Sequence, residues 1–116
     1  MTENPITRDI VLNERLPAAV QVSRMEVRRI TIAPSTAGGA HIHNGAVFGS
    51  IESGSAVFQI DDNPEVTLRT GDVFYEPANV TISRFDATSE GVTFLGYFLL
   101  EESQSPEVVF LPDLDG

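Results

Sequence analysis

The 116-residue chain has the length of one ordinary domain, and its 41% hydrophobic content suffices for a packed core. A net charge of −10 repels nucleic-acid phosphates and anionic membrane surfaces. With no cysteine there is no disulfide framework and no thiolate nucleophile. With all seven basic residues arginine there is no Schiff-base lysine and no phosphate-cradling P-loop.

The chain opens "MTENPITRDIVLNERLP", acidic and polar, without the basic and apolar regions of a signal peptide. The expectation is a cytoplasmic protein. A helical turn in "RDIVLNERL" is cut short by Pro17, so this arm reads as extended. From Arg24 onward, short β-rich runs near 24–33, 40–44, 46–52, 55–61, 65–69, 72–76, 80–86, 91–100 and 107–111 are separated by Gly, Pro, Asn and Asp turns. Such spacing predicts an all-β sandwich or barrel with little or no helix.

Individual faces are legible. Taking Ser53-Gly54 as a hairpin turn pairs Ile51 with Ala56, Gly49 with Phe58 and Val47 with Ile60, and this wholly apolar set is expected to face inward. In "GVTFLGYFLL" both faces are apolar, Phe94 and Phe98 on one, Leu95, Tyr97 and Leu99 on the other. The outer side then needs a cover, either the N-terminal segment or a second subunit; the subunit is the favoured expectation, with "EVVFLP" adding to the contact.

The chemistry-bearing residues begin with His41 and His43, the only two histidines, which on a strand point the same way and can converge on one ion. Further on, "GDVFYEP" places Glu76 in an apolar strand, where a charge is costly unless it is paired, hydrogen-bonded or metal-bound. Turned inward, Glu76 completes a two-histidine, one-carboxylate set of the kind that suits iron or manganese. Turned outward, it is a solvated or arginine-paired side chain, because Val73 and Tyr75 make an equally good inward face. Thr81, Asp86 and Gln59 are weaker substitutes, and Asp86 reads as a turn residue. Tyr75 and Arg84 are further catalytic candidates, a proton donor and a carboxylate-binding guanidinium at the barrel mouth; the favoured readings are a packed ring with its hydroxyl at the rim and an outer-face arginine paired with Asp or Glu.

Together "GGAHIHNGAVFGSIESG" and "GDVFYEP" resemble the two motifs of the cupin family, over roughly residues 24–100. His41, His43 and Gly54 match the first motif, Gly71 and Pro77 the second. The resemblance implies a double-stranded β-helix, or jelly-roll barrel, formed by a single domain over 1–116. Residues 1–23 and 101–116 would be arms packing on the barrel or on a partner subunit. It also implies small-molecule chemistry around a divalent ion (Fe, Mn, Ni or Zn) in an oxygenase, isomerase or lyase; the two-sided apolar strand makes a homodimer the expected assembly. The alternative is a metal-free cupin that binds or senses a small molecule without catalysis. The chain departs from the family pattern at four places. The first motif's glutamate falls on Val47, and in the second motif the glycine falls on Asn79, the asparagine on Asp86, and the histidine on Ile82 in an ungapped match or on no residue with a two-residue deletion.

Overall fold

The computed structural model describes residues 5–111; residues 1–4 and 112–116, the outer parts of the two expected arms, lie outside the described residues. Seven strands and no helix are found among the described residues: β1 (Arg24–Ile32), β2 (His41–His43), β3 (Val47–Ile60), β4 (Val66–Arg69), β5 (Val73–Glu76), β6 (Ile82–Leu100) and β7 (Val108–Phe110). All pairings are antiparallel. The all-β jelly-roll expectation holds.

The nine expected runs become seven because two pairs of them fuse. Residues 46–52 and 55–61 form the single strand β3, and residues 80–86 and 91–100 lie on the single strand β6. Each long strand serves two sheets. The first halves of β3 and second half of β6 join β1 and β5 in the order β1-β6-β3-β5. The remaining halves join the others in the order β7-β2-β6-β3-β4. The apolar core lies between the two layers, with Ile51, Phe74 and Phe94 from one and Ala56, Phe58, Phe85 and Ala87 from the other.

The hairpin expected at Ser53-Gly54 is therefore corrected to a bend. Val47 pairs Phe98 rather than Ile60, and Ala56 pairs Ala87. Register shifts between Ile51 and Ser53 and between Gly54 and Ala56 flip the side-chain parity, so Val47, Gly49, Ile51, Ala56 and Phe58 are all buried. The inward set is as expected, but a bulge aligns it, not a turn. Gly54 has φ of 75°, and a Cβ there would lie 1.9 Å from the Gly91 carbonyl oxygen, so the two long strands bend where their glycines touch.

On β6, Phe94 and Phe98 are buried and Leu95, Tyr97 and Leu99 are half-buried. The outer face is continuous across the first sheet, with Val27, Tyr97, Phe48 and Tyr75 in one cross-strand row. The "EVVFLP" segment does not extend that face. Its strand β7 pairs β2 on the other sheet. Residues 5–23 form no helix or strand and are almost all exposed, including Ile10 and Val11. No helix among the described residues is long and apolar enough to cross a membrane.

Candidate metal centre

His41 and His43 sit on β2, in the second sheet, and Glu76 ends β5, in the first. The site thus spans the two layers. Two links fix β2 in place. The Leu111 N–H donates to the Ala40 carbonyl at 2.9 Å, and the Asn79 N–H donates to the His43 carbonyl at 3.0 Å. Asn79 has φ of 60°, and asparagine is among the few non-glycine residues that adopt this conformation readily, so it can fill the glycine position of the motif.

The direction of Glu76 follows from strand register. Glu76 pairs Val47 and Phe74 pairs Gly49, and directly opposed residues share a face. Val47 is buried, so Glu76 points into the barrel, where it is only 3% exposed. Tyr75 pairs Phe48 on the outer face, and their rings stack with centroids 5.0 Å apart.

The three side chains meet. Glu76 Oε1 is 2.8 Å from His43 Nε2 and 3.2 Å from His41 Nε2. One ligand atom from each residue lies within 4.8 Å of the others. The tautomer of His41 is set from outside: its Nδ1 donates to the Gly39 carbonyl at 2.8 Å. In the neutral ring, Nε2 is then a lone pair facing a carboxylate oxygen. Two acceptors at that distance need a proton or a metal ion between them.

The electrostatics agree. Burial disfavours the charged form of His41, but the hydrogen bond to Glu76, the Gly39 carbonyl and the Glu76 charge outweigh it and raise the His41 pKa above its ordinary value. Burial also pushes the Glu76 carboxyl upward, but hydrogen bonds from His41 and His43 and their charges win and hold it below its ordinary value.

The cluster lines a cavity of about 500 Å³ between the sheets, walled by Ile30, Phe74, Phe85, Phe94, Phe98 and Phe110. A family model for the cupin domain matches residues 28–95. The chain belongs to the cupin family. Solved cupin-fold structures resemble it at low identity. Oxalate decarboxylase from Bacillus subtilis is 22% identical, with a TM-score of 0.64 over 75% of this chain and 24% of that one. Oxalate oxidase in complex with the substrate analogue glycolate is 21% identical, with a TM-score of 0.63 over 75% of this chain and 46% of that one. The DMSP lyase DddQ from Ruegeria pomeroyi DSS-3 is 16% identical, with a TM-score of 0.63 over 72% of this chain and 42% of that one. The chain spans less than half the length of each. No curated protein matches it.

The cupin comparison gives the Val47–Glu76 pair its meaning. The family's first-motif glutamate falls on Val47, and this chain carries a carboxylate directly across the ladder instead. The second-motif histidine falls on Ile82, which is fully buried and opposes His41. An apolar side chain fills that corner.

The other candidates stand elsewhere. Tyr75 and Arg84 are not among the residues lining the cavity. Arg84 is half exposed and pairs Glu65 at 2.8 Å and Asp86 at 3.1 Å. Asp86 is not in a turn but on β6, where it also accepts the Gly38 N–H at 3.1 Å and so anchors the loop leading to His41. Thr81 and Gln59 do not line the cavity either. Two charged lining residues escaped the sequence reading, Glu107 and Arg28. The signal for Arg28 was parity, since Glu26, Arg28, Ile30 and Ile32 alternate along β1 and the two isoleucines pack toward the core.

Proposed function

We propose that this cupin binds a divalent metal ion through His41, His43 and Glu76 and uses it on a small molecule held in the cavity. The tautomer of His41 carries the reading, because its free lone pair faces the Glu76 carboxylate inside a buried site. Two imidazoles and one carboxylate suit iron, manganese, nickel or zinc. A bound ion would supply Lewis acidity or redox chemistry, in an oxygenase, isomerase or lyase. The chain itself supplies a fixed ligand set, an arginine on the cavity lining and an apolar wall that limits water. Elemental analysis of protein purified without chelator, beside H41A/H43A, tests this. Near-stoichiometric metal lost in the variant supports it; none after soaking with Mn²⁺, Fe²⁺, Ni²⁺ and Zn²⁺ refutes it.

A second reading is a metal-free cupin that binds or senses a small molecule. It draws on the self-sufficiency of the cluster: no buried side-chain nitrogen or oxygen among the described residues lacks a hydrogen-bond partner. A proton shared between His41 and Glu76 would then take the ion's place.

We further propose one domain with a barrel core of about 24–100 and flanking arms that pack on the barrel or a partner. The outer apolar face, with Met25 55% and Val27 46% exposed, is assigned to a homodimer contact. Nucleic acid and membrane are not expected partners of a chain with charge −10, and the cytoplasm is its proposed location.

A further inference from the structure

We infer that Arg28 makes the cavity selective for a small monocarboxylic acid with an apolar body. This rests on the reading that the cavity holds a small molecule, and not on the presence of a metal.

Among the described residues, Arg28 is the only one lining the cavity with a permanent positive charge. Strand parity on β1 puts it on the cavity side, two residues before Ile30, with its side chain half exposed. Its position is set by two contacts. Glu26 Oε2 accepts from Nε at 2.5 Å, and the guanidinium carbon lies 5.5 Å from the centre of the Phe98 ring. Glu26 occupies only the Nε. No hydrogen bond to the two terminal nitrogens is found among the described residues, which leaves the edge that grips a carboxylate with two parallel bonds.

Phe98 also connects this edge to the cluster, since the His43 ring centre is 6.2 Å from the Phe98 ring centre. A ligand with its carboxylate on Arg28 would lay its body along Phe98, with Ile30 and Phe94 as further wall. Its far end would then reach the His41–His43–Glu76 group. In the metal-free protein that end does not favour a second anion. Apart from the two histidines, the other charged lining residues among the described ones are Glu76 and Glu107, both acidic. Without an ion, burying a small diacid among phenyl rings also leaves its second charge without a partner. An aryl or branched alkyl monocarboxylate fits all three features: the fork, the apolar wall and the carboxylate at the far end.

The test is calorimetric titration of phenylacetate, its neutral isostere phenylacetamide, and oxalate, into wild-type protein and R28M, each metal-free and Mn²⁺-loaded. Metal content is measured on the same samples. Wild type should bind phenylacetate about tenfold or more tighter than the amide and, when metal-free, should disfavour oxalate. R28M should lose the acid-over-amide preference, keep its affinity for the amide and keep the metal content of wild type. Equal binding of acid and amide by wild type, no binding of phenylacetate at millimolar concentration, or a preference retained in R28M would overturn the inference. A wild-type protein that takes up no metal but still prefers the acid would refute the metal reading and leave this one standing.

Discussion

Val47 and Glu76 stand directly opposite each other on β3 and β5, both buried inside the barrel. In the cupin pattern a metal-binding carboxylate is expected at the first of these positions, and here it stands at the second. The two side chains leave facing backbones about 5 Å apart, so each can aim at the same point in front of β2.

That relation predicts a rescue. E76V should weaken Mn²⁺ binding about 100-fold, whereas V47E/E76V should recover to within about tenfold of wild type. Equilibrium dialysis measures both. A double variant as weak as E76V would show that position 47 does not address the ion and that the transposition has no functional content.

Protonation of the same cluster sets a pH window for the metal-free protein. Glu76 has its folded pKa held below its ordinary 4.5, so its stabilising contribution is present above that value and is lost as pH falls through the folded pKa. His41 has its folded pKa raised above 6.5, so its contribution is fully present below 6.5 and is lost as pH rises through the folded pKa. Thermal stability should therefore peak between pH 4.5 and 6.5. In E76Q the peak should flatten, and melting curves across pH report it. Metal affinity should run the other way above this window, rising as His41 gives up its proton.

Much of this was legible in the sequence, and the gaps have physical causes. The histidine pair, the strand runs and the apolar inner set of β3 followed from alternation and turn chemistry. The Ser53-Gly54 hairpin did not survive, because a left-handed glycine serves a bend as well as a reversal. Only the contact with Gly91, 37 residues along the chain, tells them apart. The direction of Glu76 was undecidable because "VFYE" is apolar on both faces; its cross-strand partner settles it. Arg28 was readable by parity and was hidden by the plain polarity of β1.

The bend itself predicts unequal costs for two glycines. G54A combines a positive φ with a Cβ 1.9 Å from the Gly91 carbonyl oxygen and should destabilise the fold by about 3 kcal/mol or more. G71A has φ of 92° but meets nothing within 4 Å, and should cost about 1 kcal/mol of backbone strain. Urea denaturation compares them, and equal costs would mean that the strand contact does not govern the corner.

The outer row of Val27, Tyr97, Phe48 and Tyr75 predicts association through that face. Light scattering should give a dimer at micromolar concentration, and V27E should shift it to monomer without loss of metal binding. A monomeric wild type would remove the dimer assignment.

The central claim is that both histidines bind one ion, and pulsed electron paramagnetic resonance of the Mn²⁺-loaded protein tests it most directly. Nitrogen couplings from two imidazoles are expected in wild type and from one in each of H41A and H43A. A bound Mn²⁺ with no imidazole coupling, or couplings unchanged by either substitution, would contradict the account.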